Sequence, residues 1–278
     1  YIDGWAKYHW RWKTKDAKSP HAQPKIPKWK GKVLQEHEKL LVVSEQGLGD
    51  TIQFMRYIPY LRSKGIDVSF CAQEKLHDLI KASDIDANPL TRAQANEISE
   101  GQWTPLLSLP GYLGVTPQNP ILSKPYIKPT NDLIVKWKSI LSEEKRPIIG
   151  INWQGNKDIE TNVLKGRSLP LETFAPIAKN RKVSFLSLQK GFGSEQLDSC
   201  SFRENFVNCQ KQIDSVWNFL EISAILVNCD LIITCDTAVG HLGGGLNKKT
   251  WLLLKEVPEW RWGIREDSTF WYPSHTLF

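Results

Sequence analysis

The chain has 278 residues, 41% of them hydrophobic, and a formal net charge of +6, which excludes a disordered chain and gives length for roughly two domains. No apolar run approaches the ~20 residues of a membrane span, the amino terminus lacks the charged-then-apolar pattern of a signal peptide, and the modest charge, much of its excess before residue 33, does not make a nucleic-acid groove. Cys71, Cys200, Cys209, Cys229 and Cys235 lie apart without CxxC spacing and read as reduced thiols of a cytosolic protein.

Residues 1–12 (YIDGWAKYHWRW) place Trp5, Tyr8 and Trp12 at helical spacing, so one face of a first helix is aromatic. Residues 13–32, lysine-rich and broken by prolines, read as a basic linker or an arm wrapping the next domain. Residues 40–44 (LLVVS) predict a buried strand and residues 45–50 (EQGLGD) a glycine turn. Ile52, Met55, Ile58 and Leu61 then mark one face of a helix that stops near Gly65. The turn of Gln46, Gly47 and Gly49 lacks the third glycine of a dinucleotide fingerprint. Asp50, at the helix start, would repel a phosphate brought to the same amides. Two roles fit Asp50: a general base that accepts a proton from a sugar hydroxyl, or a helix cap.

A strand over 67–72 and a helix over 74–82 follow, then short elements to residue 109 and a proline-rich loop over 110–129. Residues 131–141 (NDLIVKWKSIL) predict a helix with Leu133, Trp137 and Ile140 inward, bridging the two domains. The second domain opens with a strand over 148–153 ending in WQGN, followed by a long polar loop (KDIETNVLKGRSLP, 157–170) and a helix from near Leu171. Strands over 183–188 and 205–209 and a helix over 215–228 come next. Alternation of strand and helix throughout argues for parallel sheets covered on both faces.

Residues 230–246 (DLIITCDTAVGHLGGGL) change character midway. An apolar, β-branched run over 231–235 is broken by Asp236, Thr237 and Ala238, and small residues lead on to another strand over 250–254, a βαβ pattern. The N-terminus of such a helix offers unpaired N–H groups to a phosphate. Thr237 and His241, four residues apart, would share a face of its first turn. The alternative is that Asp236 and Thr237 cap the helix and His241 packs under it. Three strand ends thus carry polar residues toward one rim: Trp153 with residues 154–156, Gln189 with Lys190, and Asp236 through His241, with Lys165 and Arg167 in the loop above. A ring to stack on, amides to read a base and positive charge suit a nucleoside diphosphate. Metal-ligand spacing, a GxSxG elbow and a Walker lysine are absent from the sequence.

Taken together, GLGDTIQFMRYIPYL, INWQGN, KGRSLP, SLQKG, CDTAVGHLGGGLNKKTWLLL and EWRWG followed by FWYPS resemble the glycosyltransferase-like domain that follows tetratricopeptide repeats in bacterial proteins, itself similar to the lipopolysaccharide heptosyltransferases. The similarity runs from about residue 33 to the end, and GWAKYHWRW resembles the close of the repeat region. It implies an α/β fold of GT-B type, two Rossmann-like domains with parallel sheets facing a central cleft. Residues 1–32 would be the end of an upstream helical repeat region with a basic linker, 33–129 the acceptor domain, 130–144 an inter-domain helix, and 145–278 the nucleotide-sugar domain with its tail crossing back.

The implied function is transfer of a sugar from a nucleotide-diphosphate donor to a hydroxyl of a glycan or protein acceptor, without metal or other cofactor, in the cytoplasm or peripherally at the inner membrane face. The alternative is a non-catalytic scaffold or sugar-binding module attached to the repeats. By resemblance, Asp50 matches the family's candidate base, Thr237, Ala238 and His241 the donor-phosphate turn, and Arg167 falls where heptosyltransferases place a phosphate-binding lysine. Trp153, Gln189, Lys190 and Asp236 complete the expected donor side. Gly243, Gly244 and Gly245 stand where the family tends to have alanines; at roughly 1 kcal/mol of helix stability each, they predict a looser site.

Overall fold

The computed structural model describes residues 1–14, 19–121, 125–160, 165–179 and 182–278; residues 161–164 of the predicted polar loop, 15–18 of the arm and 122–124 of the proline-rich loop lie outside them. The chain divides into two units, Tyr1–Lys128 and Pro129–Phe278.

In the first unit, strands β1 (Lys39–Val43), β2 (Asp67–Cys71) and β3 (Gln102–Pro105) form a parallel sheet of order β2-β1-β3. Central β1 buries Leu40 through Val43, both faces at once, which is why its sequence is an unbroken apolar run. Helices α1 (Ile2–Tyr8), α2 (Leu48–Phe54), α3 (Tyr57–Ser63), α4 (His77–Ala82), α5 (Arg92–Asn96) and α6 (Leu109–Tyr112) accompany it. The single helix expected over 52–65 is two, α2 and α3. Pro59 is the physical reason: it has no N–H to give Met55 and its ring would crowd that carbonyl, yet it is tolerated in the first turn of a new helix. Residues 1–32 belong to this unit. Trp5 Nε1 donates to Val115 O at 2.7 Å, and the arm pairs with β3, Trp29 N donating to Trp103 O (2.7 Å) and Trp103 N to Pro27 O (2.9 Å).

In the second unit, β4 (Ile148–Asn152), β5 (Ser184–Ser187), β6 (Leu231–Cys235), β7 (Thr250–Leu253) and β8 (His275–Leu277) form a five-stranded parallel sheet of order β5-β4-β6-β7-β8. Helices α7 (Asn131–Ile140), α8 (Ala175–Ala178), α9 (Gln210–Asp214), α10 (Phe219–Val227) and α11 (Ala238–Gly245) connect and cover these strands. One core cluster joins Ile149, Ile151, Trp153, Phe174, Phe185 and Ile233. The strand expected over 205–209 amounts to a single bridge between Phe206 and Phe185, because α9 begins at Gln210 and leaves the segment too short to run on. Of the final segment, expected to cross back toward the first domain, residues His275–Leu277 pair with β7 as β8, Thr250 opposite His275, at the edge of the second sheet.

Candidate functional site

Neighbouring strands β4 and β6, with Asn152 opposite Thr234, end on one rim of the second sheet. Asn152 Oδ1 accepts hydrogen bonds from Thr237 Oγ1 (2.7 Å) and Thr234 Oγ1 (3.2 Å). Thr237 is the N-cap of α11, and its Oγ1 also accepts from Val239 N at 3.3 Å. Through that one hydroxyl, the start of α11 is pinned to the end of β4. Ala238 is the first residue of the helix and half-buried. Arg167 comes to the same place: its Nη1 donates to Asp236 O at 3.1 Å and its Nε to Glu160 Oε1 at 3.0 Å. The guanidinium lies over Gly155, where a Cβ would collide with it. Among the described residues its remaining donors have no protein partner. Glu160 Oε1 accepts from Ser168 Oγ as well, and Ser168 Oγ accepts from Gly155 N at 3.0 Å. A helix N-terminus and a forked cation therefore meet at Asp236 and Thr237, a combination suited to an oxyanion.

Three expected donor contacts are placed elsewhere. Trp153 is fully buried in the core and donates its indole N–H to Gly193 O at 3.2 Å; with both faces covered it offers no stacking surface. Gln189, also buried, accepts at Oε1 from Asn152 Nδ2 (2.7 Å), Gln154 N (3.0 Å) and Trp153 N (3.3 Å) and donates from Nε2 to Phe192 O (2.9 Å). Its amide ties β4 to β5 and is not available to read a base. His241 is 3% exposed, its Nδ1 3.0 Å from Tyr272 Oη and its ring stacked on Trp262 at 5.5 Å. Of the two roles open to it, it packs under the helix, because aromatic side chains of the final segment cover that face. Gly244 of α11 belongs to this packing, since a Cβ there would strike the Tyr272 ring, and Gly243 packs on Thr250 and Ile232 of the sheet.

In the first unit, the turn between β1 and α2 holds Gln46 at φ 62, left-handed backbone that non-glycine residues seldom adopt. Gly47 is the N-cap of α2, with Gly49 and Asp50 in the first turn. Gly47 N donates to Asp50 Oδ2 at 2.8 Å, so Asp50 does cap the helix, and it stays half-buried. Beside it, Glu45 is fully buried. Its Oε1 accepts from Arg11 Nη2 (2.7 Å) and Leu107 N (3.2 Å), its Oε2 from Trp12 Nε1 (3.0 Å) and Arg11 Nε (3.1 Å). In the sequence Glu45 looks like an exposed turn residue; its partner Arg11 is too distant along the chain to signal otherwise.

No family model matches the chain. Protein FlbA of Caulobacter vibrioides is 21% identical over 302 aligned residues, covering 99% of this chain and 49% of FlbA, so the chain spans about half the length of that curated relative. Among solved structures, the glycosyl transferase family 9 protein of Veillonella parvula superposes with a TM-score of 0.58 at 12% identity, covering 90% of this chain and 88% of that one. The ADP-heptose lipopolysaccharide heptosyltransferase II of E. coli gives a TM-score of 0.58 at 10% identity, covering 87% and 90%. The chain has the GT-B fold. At these identities the likeness is one of fold.

The second unit also carries an exposed ring, Trp217, beside Lys190. Lys190, three residues beyond β5, donates from Nζ to Ile213 O at 2.5 Å and lies 6.0 Å from the Trp217 ring centroid. Burial lowers the Lys190 pKa, with Asp214 opposing the shift. Trp217 is 66% exposed and lines a cavity of about 510 Å³ with Lys136, Trp137, Gln212 and Glu221. The sequence predicts a helix over 215–228, which would contain Trp217. The helix starts at Phe219, with Asn218 Oδ1 accepting from Glu221 N at 2.9 Å, which leaves Trp217 outside. The Asn218-x-x-Glu221 pattern is the capping signal that would have found it.

Proposed function

We propose that this chain is a glycosyltransferase whose second unit holds a nucleoside-diphosphate sugar and whose first unit presents an acceptor hydroxyl to Asp50. The observation that carries it is the meeting of Arg167 with the Thr237-capped start of α11 at the carboxyl ends of β4 and β6. Charge that grows on a leaving diphosphate is best met by donors already aimed at it. The Asn152–Thr237 bond and the Gly155 seat for Arg167 supply that preorganisation. The reading assigns the diphosphate's charge to Arg167 and the helix amides. Trp217, on the cavity wall beside Lys190, is the ring a nucleobase would stack on. Asp50 keeps Oδ2 on the helix cap and takes the acceptor proton as general base.

Glu160 gives the site a competitor. The Glu160 carboxylate beside Arg167 carries charge of the same sign as a diphosphate and draws on the same guanidinium, so the two residues affect binding in opposite directions. Calorimetric titration with a panel of nucleoside diphosphates and nucleotide sugars tests this. Arg167→Ala is expected to weaken the best ligand by about 1.5–3 kcal/mol, the range for a charge-assisted hydrogen bond, and Glu160→Gln to strengthen it. Unchanged affinity in both variants would place the donor site elsewhere. A second reading, a non-catalytic sugar-binding or scaffold module, is favoured by the same Glu160–Arg167 pair and by the capping bond of Asp50, which use both groups internally. A wild-type chain that binds no ligand of the panel would favour the module.

A further inference from the structure

The first unit carries a cavity of about 360 Å³ at the carboxyl end of β2, its lining apolar in larger part with polar groups set into it, within the size range of small-molecule sites. One wall is the arm that precedes β1, Ser19, His21 and Gln23; the other is Gln73 and Glu74, with Arg92 at the start of α5. The arm is fixed there by its main chain, His21 N donating to Ser44 O (2.9 Å) and Gln23 N to Asn96 Oδ1 (2.8 Å). His21 Nδ1 is hydrogen-bonded to Ser44 Oγ at 2.8 Å, and the ring is also hydrogen-bonded to the Gln46 backbone, which holds it at the cavity wall. Burial holds the imidazole pKa below its ordinary value, which keeps the ring neutral near pH 7. Gln73 links the cavity to the turn that carries Asp50. Its Oε1 accepts from Thr51 Oγ1 at 2.8 Å and its Nε2 reaches Gly47 O at 3.5 Å.

The lining decides the class of ligand. Arg92 and Glu74 carry opposite charges, the imidazole is neutral, and the other polar groups are amides and a hydroxyl. An anion gains nothing from such a wall, whereas a polyol finds both donors and acceptors in it. We propose that this cavity binds a neutral sugar of the acceptor glycan, with His21 and Gln73 contacting its hydroxyls, so that the arm is a wall of the acceptor site. Naming that sugar as the acceptor rests on the glycosyl-transfer reading above; the sugar pocket itself does not.

The test uses the whole chain with isotope-labelled histidine, titrated with methyl β-D-glucopyranoside, methyl β-D-galactopyranoside and methyl α-D-mannopyranoside, and with glucuronate as the anionic control. At least one neutral glycoside should shift the His21 ring resonances saturably, and glucuronate should do so more weakly. Gln73→Ala and Arg92→Ala should each raise the dissociation constant about three- to tenfold, the worth of one hydrogen bond. His21→Ala, followed from the ligand side by saturation transfer, should do the same. Arg92 is exposed, so its variant keeps the test open if the other two disturb folding. A His21 ring that no neutral glycoside moves, affinity unchanged in every variant, or preference for glucuronate would overturn the proposal. Nucleoside diphosphate binding in the same samples separates the two failures. Glycoside binding without diphosphate binding removes the donor reading and keeps the pocket; the reverse removes the pocket alone.

Discussion

A carboxylate that caps a helix and one that removes a proton make different demands on the same oxygens, and Asp50 is asked for both. Its Oδ2 is held by Gly47 N, and an asparagine in its place keeps an oxygen to accept that bond, since the two residues cap about equally well. Basicity is what asparagine lacks. Asp50→Asn is therefore expected to keep its melting temperature and its affinity for nucleoside diphosphate while losing at least about a hundredfold in sugar transfer, the lower range for a lost general base. Equal transfer rates in the two proteins would leave Asp50 as a cap and nothing more. Arg167 has the complementary situation. Its partners Glu160 and Asp236 hold the guanidinium in one place while leaving other donors to a ligand, so its loss should appear in binding first.

Helix α11 shows how far an element's sequence can mislead about its rigidity. Judged by propensity alone, Gly244→Ala should stabilise the helix by about 1 kcal/mol. Against the Tyr272 ring, the added methyl overpacks a filled space, which typically costs about 1–3 kcal/mol, and a Cβ there would collide with the ring. Gly244→Ala is therefore expected to lower the melting temperature of the second unit, by roughly 2–4 °C per kcal/mol lost. In a Tyr272→Leu background the penalty should shrink, a coupling that a thermal double-mutant cycle measures. A higher melting temperature in the single variant would show that propensity wins. The same contrast marks what the sequence could tell. Strands β1, β4 and β6 were legible because short, largely apolar runs rich in branched aliphatic residues suit strands covered on both faces, and the capped turn at Thr237 because cap residues declare themselves locally. Trp153 and Trp217 were not separable, since each follows an apolar or polar context that fixes no exposure. Their fates depend on where β4 ends and α10 begins. His241 was legible only as two alternatives, because the aromatic layer that decides between them lies about 20 to 30 residues further on.

At the scale of the molecule, two sheets that share no strand, with a core cluster around Leu41, Val43 and Ile26 in the first unit and one around Ile151, Phe185 and Ile233 in the second, give two cooperative units the means to unfold separately. Each unit has its own handle. In the first, the buried Glu45 carboxylate depends on Arg11, and removing one partner of a buried ion pair leaves an uncompensated charge at a cost of about 3–5 kcal/mol. In the second, a ligand that binds only the folded unit stabilises it by about 2.7 kcal/mol at a hundred times its dissociation constant. Scanning calorimetry is thus expected to show two transitions. Arg11→Ala should lower one of them, and the best nucleoside diphosphate from the titration panel should raise the other, each leaving its neighbour in place. A single transition moved by both the substitution and the ligand would show that the units unfold as one, and a diphosphate that raises the transition lowered by Arg11→Ala would move the donor site into the first unit.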